Sequence, residues 1–139
     1  MGTKIEVKED NSALILDLLE LQIKVALEAC GQNAVSHAKQ NINEAGRIDT
    51  GNMINSMTHQ VQEHTCYVGT NNEYAPYHEY GTGIYADGGV GRKDGWFYVD
   101  AKGNGHWTRG IKPIHFLKNA IANNQDEYRA IIKRYLQSK

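Results

Sequence analysis

An apolar rhythm over the first third of the chain constrains its fold more than any other feature. Leu14, Leu18, Leu21, Val25 and Ala29 recur at steps of three and four residues, with Ile15, Leu19 and Ala26 beside them. That spacing returns the side chains to one face of an α-helix, and it continues through Val35, Ala38 and Ile42 to a stop at Gly46. Asp10, Asn11 and Ser12 stand ahead of it and offer N-caps. A helix of this length exceeds what a small sheet can cover, so part of it is expected to meet another subunit. Gly31 interrupts the run at a cost of ~1 kcal/mol relative to alanine, which predicts a bend or a change of packing partner there.

Downstream the pattern changes. Asp49, Thr50 and Gly51 mark a turn, and residues 57–61 and 65–68 then carry β-favouring side chains around a polar reversal at Glu63 and His64, as in a hairpin. Residues 96–99 and 106–109 predict a second hairpin, closed where Gly103, Asn104 and Gly105 tolerate positive φ. The four strands are expected to form one small antiparallel sheet. Between the hairpins, residues 81–95 hold six glycines, far above the ~7 % background. Residues 82–95 are therefore expected to be a flexible glycine-rich loop. Pro113 suits the first turn of a last helix, in which Leu117, Ile121, Asn124, Tyr128, Ile131 or Ile132, and Tyr135 keep the three-four rhythm. Lys133, Arg134 and Lys139 near its end complement the helix dipole. The expected fold is α+β in a single domain, residues 1–139: an N-terminal arm (1–10), a long helix, a small antiparallel sheet of about four strands with the long loop, and a C-terminal helix.

Charge and side-chain chemistry narrow the function. The net charge of −1 gives no global pull toward nucleic acid or acidic membranes. Its distribution is uneven: residues 1–63 carry five basic and nine acidic side chains, residues 64–108 three and five, and residues 109–139 seven and two. An acidic front and a basic tail suit a head-to-tail self-contact, and they equally describe two solvated helix faces. No stretch approaches the ~20 apolar residues of a membrane-spanning helix, and MGTKIEVKED lacks the pattern of a secretion signal, so a soluble protein made in the cytoplasm is expected. Cys30 and Cys66 stand apart without CxxC spacing and read as buried free thiols.

The histidines, chiefly His78 beside Glu79 and the pair His106 and His115, match neither HExxH nor a zinc-finger spacing, and no metal or cofactor is expected. No GxSxG elbow and no phosphate-cradling GxGxxG or GxxxxGK[ST] is present, so no catalytic residue is assigned. Arg92, Lys93, Lys102, Arg109 and Lys112 interleave with Trp96, Tyr98 and Trp107 in a way that suits nucleic acid, but Asp87, Asp94 and Asp100 nearly cancel their charge. Aromatics packing a sheet, or a segment that orders only on a partner, explain the same residues.

Three motifs in order, DTGNMINSM (49–57), YVGTNNEYAPYHEYGTG (67–83) and IKPIHFLKNAI (111–121), resemble the phage tail-component family, small proteins of tailed phages and prophages assigned to head-tail joining and tail completion. The resemblance rests on Thr50 and Gly51; on Val68 to Asn71 with Tyr74, Ala75, Tyr77 and Glu79 to Gly83; and on Pro113, Phe116, Leu117 and Ala120. It departs at Ile54 and Asn55, where the family has an arginine, and at the spacing of Pro113 from Phe116. It implies an α+β fold and a non-enzymatic virion component of the neck or tail, assembled in the host bacterial cytoplasm. That component would form a ring, a hexamer among its candidates, and would dock on the connector or stopper and on tail-terminator or tail-tube proteins. Membrane and sequence-specific nucleic acid are not among the implied partners.

On this reading Tyr77, Glu79, Tyr80, Gly81, Gly83, Arg92, Lys93 and Arg109 are the candidate interface and loop residues. NEYAPYHEYGTG becomes an extended crossing that aims a docking loop, with Pro76 biasing Ala75 and the tyrosines as packing anchors. The reading from a different class is a small metal-dependent or nucleic-acid-binding enzyme using His78, Glu79, His106 and Arg109.

Overall fold

The computed structural model describes residues 12–47, 50–100 and 102–137. The expected arm (1–10), the caps Asp10 and Asn11, and Asp49 lie outside these residues. The chain is α+β. The apolar rhythm forms α1 (Ser12–Ala45), an unbroken helix of 34 residues, which at 1.5 Å per residue extends about 50 Å. The helix runs on through Gly31, and its packing partner changes there. A Cβ built on Gly31 would run into the His59 ring and come within 2.8 Å of the Cys66 sulfur, so the missing side chain lets a hairpin lie against the helix.

That hairpin is β1 (Thr58–Gln62) with β2 (Thr65–Gly69), antiparallel with His59 opposite Val68 and Val61 opposite Cys66. The second pairs β3 (Trp96–Val99) with β4 (Gly105–Thr108), Phe97 facing Trp107 and Tyr98 facing His106. The four expected strands are present, but they form two separate two-stranded sheets instead of one. Each hairpin closes through its own tight turn, whereas joining the two would need a long-range pairing, and the connection between them is committed elsewhere. It holds α3 (Ala75–Tyr80) and two single turns of 3₁₀-helix, Gly83–Tyr85 and Asp87–Gly89.

The core sits at the C-terminal half of α1. Ala38 and Ile42 meet Met53 from the short α2 (Gly51–Asn55), Met57, Ala75 at the start of α3, and Phe116 and Ala120 from α4 (Phe116–Ala122). Phe116 and Ile42 are its largest fully buried side chains. The C-terminal helix expected as one piece is two, α4 followed by α5 (Gln125–Gln137). At the break the Asn124 side-chain amide donates to the Ala120 carbonyl at 2.9 Å and the Tyr128 hydroxyl donates to the same oxygen at 2.5 Å. Side chains thus compete for the carbonyl that a continuous helix would give to a backbone N–H. Pro113 precedes α4 by three residues instead of opening it, and His115 enters the helix from the left-handed region at φ 56°.

Candidate interaction surface

Helix α3 is only six residues long, and its faces separate the two kinds of residue in APYHEY. Ala75 and Glu79 are buried and His78 is half-buried, at the i, i+3, i+4 positions of an inner face. Tyr74, Tyr77 and Tyr80, at steps of three, are 64 %, 53 % and 59 % exposed. The extended crossing expected here is therefore a helix, and its tyrosines are not packing anchors. Pro76 stands in its first turn, where the missing N–H has no partner to lose.

Glu79, expected at a subunit contact, is instead an internal cap. Its Oε1 accepts from the Leu117 backbone N–H at 2.8 Å and its Oε2 from Lys118 at 3.0 Å. These are two of the donors that the first turn of α4 cannot satisfy within itself, and no side chain of His115 caps them. A carboxylate at that end also faces the positive pole of the helix. The His78 carbonyl accepts from Ile114 N–H at 2.7 Å, tying α3 to the chain ahead of α4. Arg47, just beyond α1, donates to His78 Nδ1 at 3.0 Å and to the Lys112 carbonyl. Burial first, then the Arg47 charge, holds His78 below its ordinary value, so the ring is a neutral acceptor.

Gly81 and Gly83 are also buried. Thr82 N–H donates to the Ile111 carbonyl at 3.0 Å, and Ile84 N–H to the Arg109 carbonyl at 3.1 Å. Gly83 has φ +60°, and a Cβ there would overlap the Arg109 carbonyl. The start of the glycine-rich segment is thus seated on the chain leaving β4, where a flexible loop was expected over residues 82–95. Farther along, Arg92 and Lys93 are exposed, with the Arg92 guanidinium 5.5 Å from the Trp96 ring centroid and Lys93 Nζ donating to the Gly89 carbonyl at 2.8 Å. The Arg109 side chain is exposed.

The residues named for an enzyme are each engaged separately: His78 with Arg47, Glu79 with α4, and His106 with Asp100 at 2.7 Å on the second hairpin. Asp100 is held below its ordinary value, chiefly by that hydrogen bond. Among the described residues no three His, Cys, Asp or Glu side chains converge as metal ligands. Both thiols are pushed up, first by burial and then by neighbouring acidic groups, which keeps them protonated and poor nucleophiles. Among the described residues no helix is long and apolar enough to cross a membrane.

What the described surface offers instead is apolar area without a cover. Residues 12–21 of α1 are all exposed, among them Leu14 at 57 %, Leu18 at 53 % and Leu21 at 56 %. On the second hairpin Phe97 is 61 %, Val99 60 % and Trp107 70 % exposed, and strand alternation places them on one face. The sequence led us to expect part of α1 to meet another subunit. For the second hairpin's aromatics it favoured packing on the sheet, with a segment that orders on a partner as the alternative, and on the two-stranded sheet that forms Tyr98 and Trp107 are exposed. The signal for their exposure was the charge and glycine content on either side of them. No family model, no curated protein and no solved structure matches the chain.

Proposed function

We propose that this chain is a structural component of a phage or prophage neck or tail, acting in head-tail joining or tail completion by forming a ring and docking on neighbouring connector, terminator or tail-tube proteins. The observation that carries this reading is the uncovered apolar surface on α1 and the second hairpin, far more than scattered single residues would present. Such surface suits a protein whose working state is an assembly. Motif order adds the setting, since the three segments resembling the tail-component family fall at α2, across β2 to the first 3₁₀ turn, and at α4. In that arrangement the middle motif is an internal scaffold. Glu79 holds α4, and the exposed Tyr74, Tyr77 and Tyr80 line the outside of α3.

Expression with the genes that flank it tests the reading. The chain should co-purify with a connector or tail-tube protein and appear as rings in negative-stain images. A metal-bearing monomer with nuclease activity, absent from assembled tails, would sink it.

A further inference from the structure

The two exposed apolar surfaces lie on different elements, and no other described residues of the chain cover them. On α1, Leu14, Leu18, Leu21 and Val25 form one stripe, each between 41 % and 57 % exposed. Glu20 and Glu28 on the neighbouring polar stripe pair with His64 and His59 of the first hairpin, each at 2.7 Å. That hairpin therefore covers the polar side of the helix and leaves the leucines open. On β3–β4, Phe97, Val99 and Trp107 form the second surface, and a two-stranded hairpin with one bare aromatic face is marginal in water on its own.

We infer that the Phe97, Val99 and Trp107 face of one copy of this chain docks on the Leu14, Leu18, Leu21 and Val25 stripe of the next. The proposal rests on the self-association in the reading above and names the surfaces that would carry it. The lengths agree: Leu14 to Val25 spans about 16 Å of helix, and a four-residue strand about 13 Å. Charge agrees too. Residues 12–29 carry Asp17, Glu20 and Glu28 against Lys24. Residues 92–109 carry Arg92, Lys93, Lys102 and Arg109 against Asp94 and Asp100. Within the hairpin itself Lys102 balances Asp100, so the basic excess sits at its base on Arg92, Lys93 and Arg109. An acidic helix meeting that basic flank is steered into register, whereas a leucine stripe on its own duplicate sets two acidic segments together and leaves the hairpin bare. The contact joins unlike patches, so each copy offers one of each, and repetition closes a ring or extends a filament.

The test is light scattering behind size-exclusion chromatography, over about a thousandfold range of concentration, on wild type and on two variants, Leu18→Glu and Trp107→Glu. Both positions are exposed, and Leu18→Ser and Trp107→Ser provide a second pair if a charge perturbs folding. Wild type should associate as concentration rises, and each variant alone should need about 30-fold more protein or stay monomeric. An equimolar mixture of the two variants should form a 1:1 heterodimer and stop, because one supplies an intact helix and the other an intact hairpin. If Trp107→Glu associates like wild type, the contact lies elsewhere and the inference falls, while the ring reading stands. If wild type is monomeric throughout, the inference also falls, and the wider reading is judged by co-purification with neck and tail proteins.

Discussion

β1–β2 and β3–β4 are both short antiparallel ladders, but the first lies along α1 while the second meets the body only at its base. The first has a seat because Gly31 removes the side chain that would lift it off, and its inner residues His59, Val61, Cys66 and Val68 are all half-buried. The second is attached where Thr82 and Ile84 pair with Ile111 and Arg109, and beyond that point its large side chains stand in solvent. The difference teaches that a hairpin's strand pattern says nothing of whether this chain or another will cover it. A partner surface within the chain decides that, and here the glycine on α1 is the deciding residue.

The largest break in the comparison should come from filling that seat. Gly31→Val gains a little helix propensity but forces methyl groups into the His59 ring and the Cys66 sulfur. Overpacking of this kind should destabilise by about 3 kcal/mol in urea denaturation. Amide exchange should accelerate across residues 58–69 and stay unchanged in 96–108. Equal acceleration in both hairpins would mean that the first is not specifically seated on α1.

A smaller effect should follow at the base of the second hairpin. Glu79→Ala leaves two backbone donors of α4 without an acceptor in a buried place, at a cost of about 2 kcal/mol, and Glu79→Gln, which keeps one acceptor, should cost less. If charge rather than hydrogen bonding were all that mattered, the two variants would melt alike.

How much of this was legible follows from the range of each interaction. The long helix and both hairpins were readable because period and turn chemistry act over a few residues. α3 was misread because six residues with a proline fall below any helical template, and local bias favoured an extended Ala75. Glu79 reaches Leu117 and Arg47 reaches Lys112, and neither pairing leaves a local mark. Whether four strands make one sheet or two also turned on long-range pairing. For the same reason the sequence named Glu79 as an outward contact when it is an inward cap.

The Arg47 and His78 pair supplies a gentler probe of the same base. Because burial and Arg47 lower the folded-state value of His78 below 6.5, the unfolded chain binds that proton more readily. Its contribution is therefore present in full above pH 6.5 and lost as pH falls through the folded-state value. Relative to His78→Gln, wild type should lose stability as pH is lowered from 6.5 in matched denaturant titrations. Parallel profiles would mean that His78 is not kept neutral by this contact.

The smallest effect should come from the bare face itself. Phe97 and Trp107 stand opposite each other in the ladder but bury little, since they are 61 % and 70 % exposed in the single chain. Their packing can contribute only what a cross-strand pair does, so Trp107→Thr at a concentration where the protein is monomeric should change unfolding by about 0.5 kcal/mol or less. The matching change on the seated hairpin, Val61→Thr, should cost more, because that side chain is half-buried and its hydroxyl would need a partner. If Trp107→Thr were the costlier of the two, the second hairpin would hold the monomer together, and its aromatic face would be a misplaced piece of core. If the order is as expected, the monomer gains almost nothing from two large aromatic side chains that it holds in water, as the proposed docking of this face on a second copy requires.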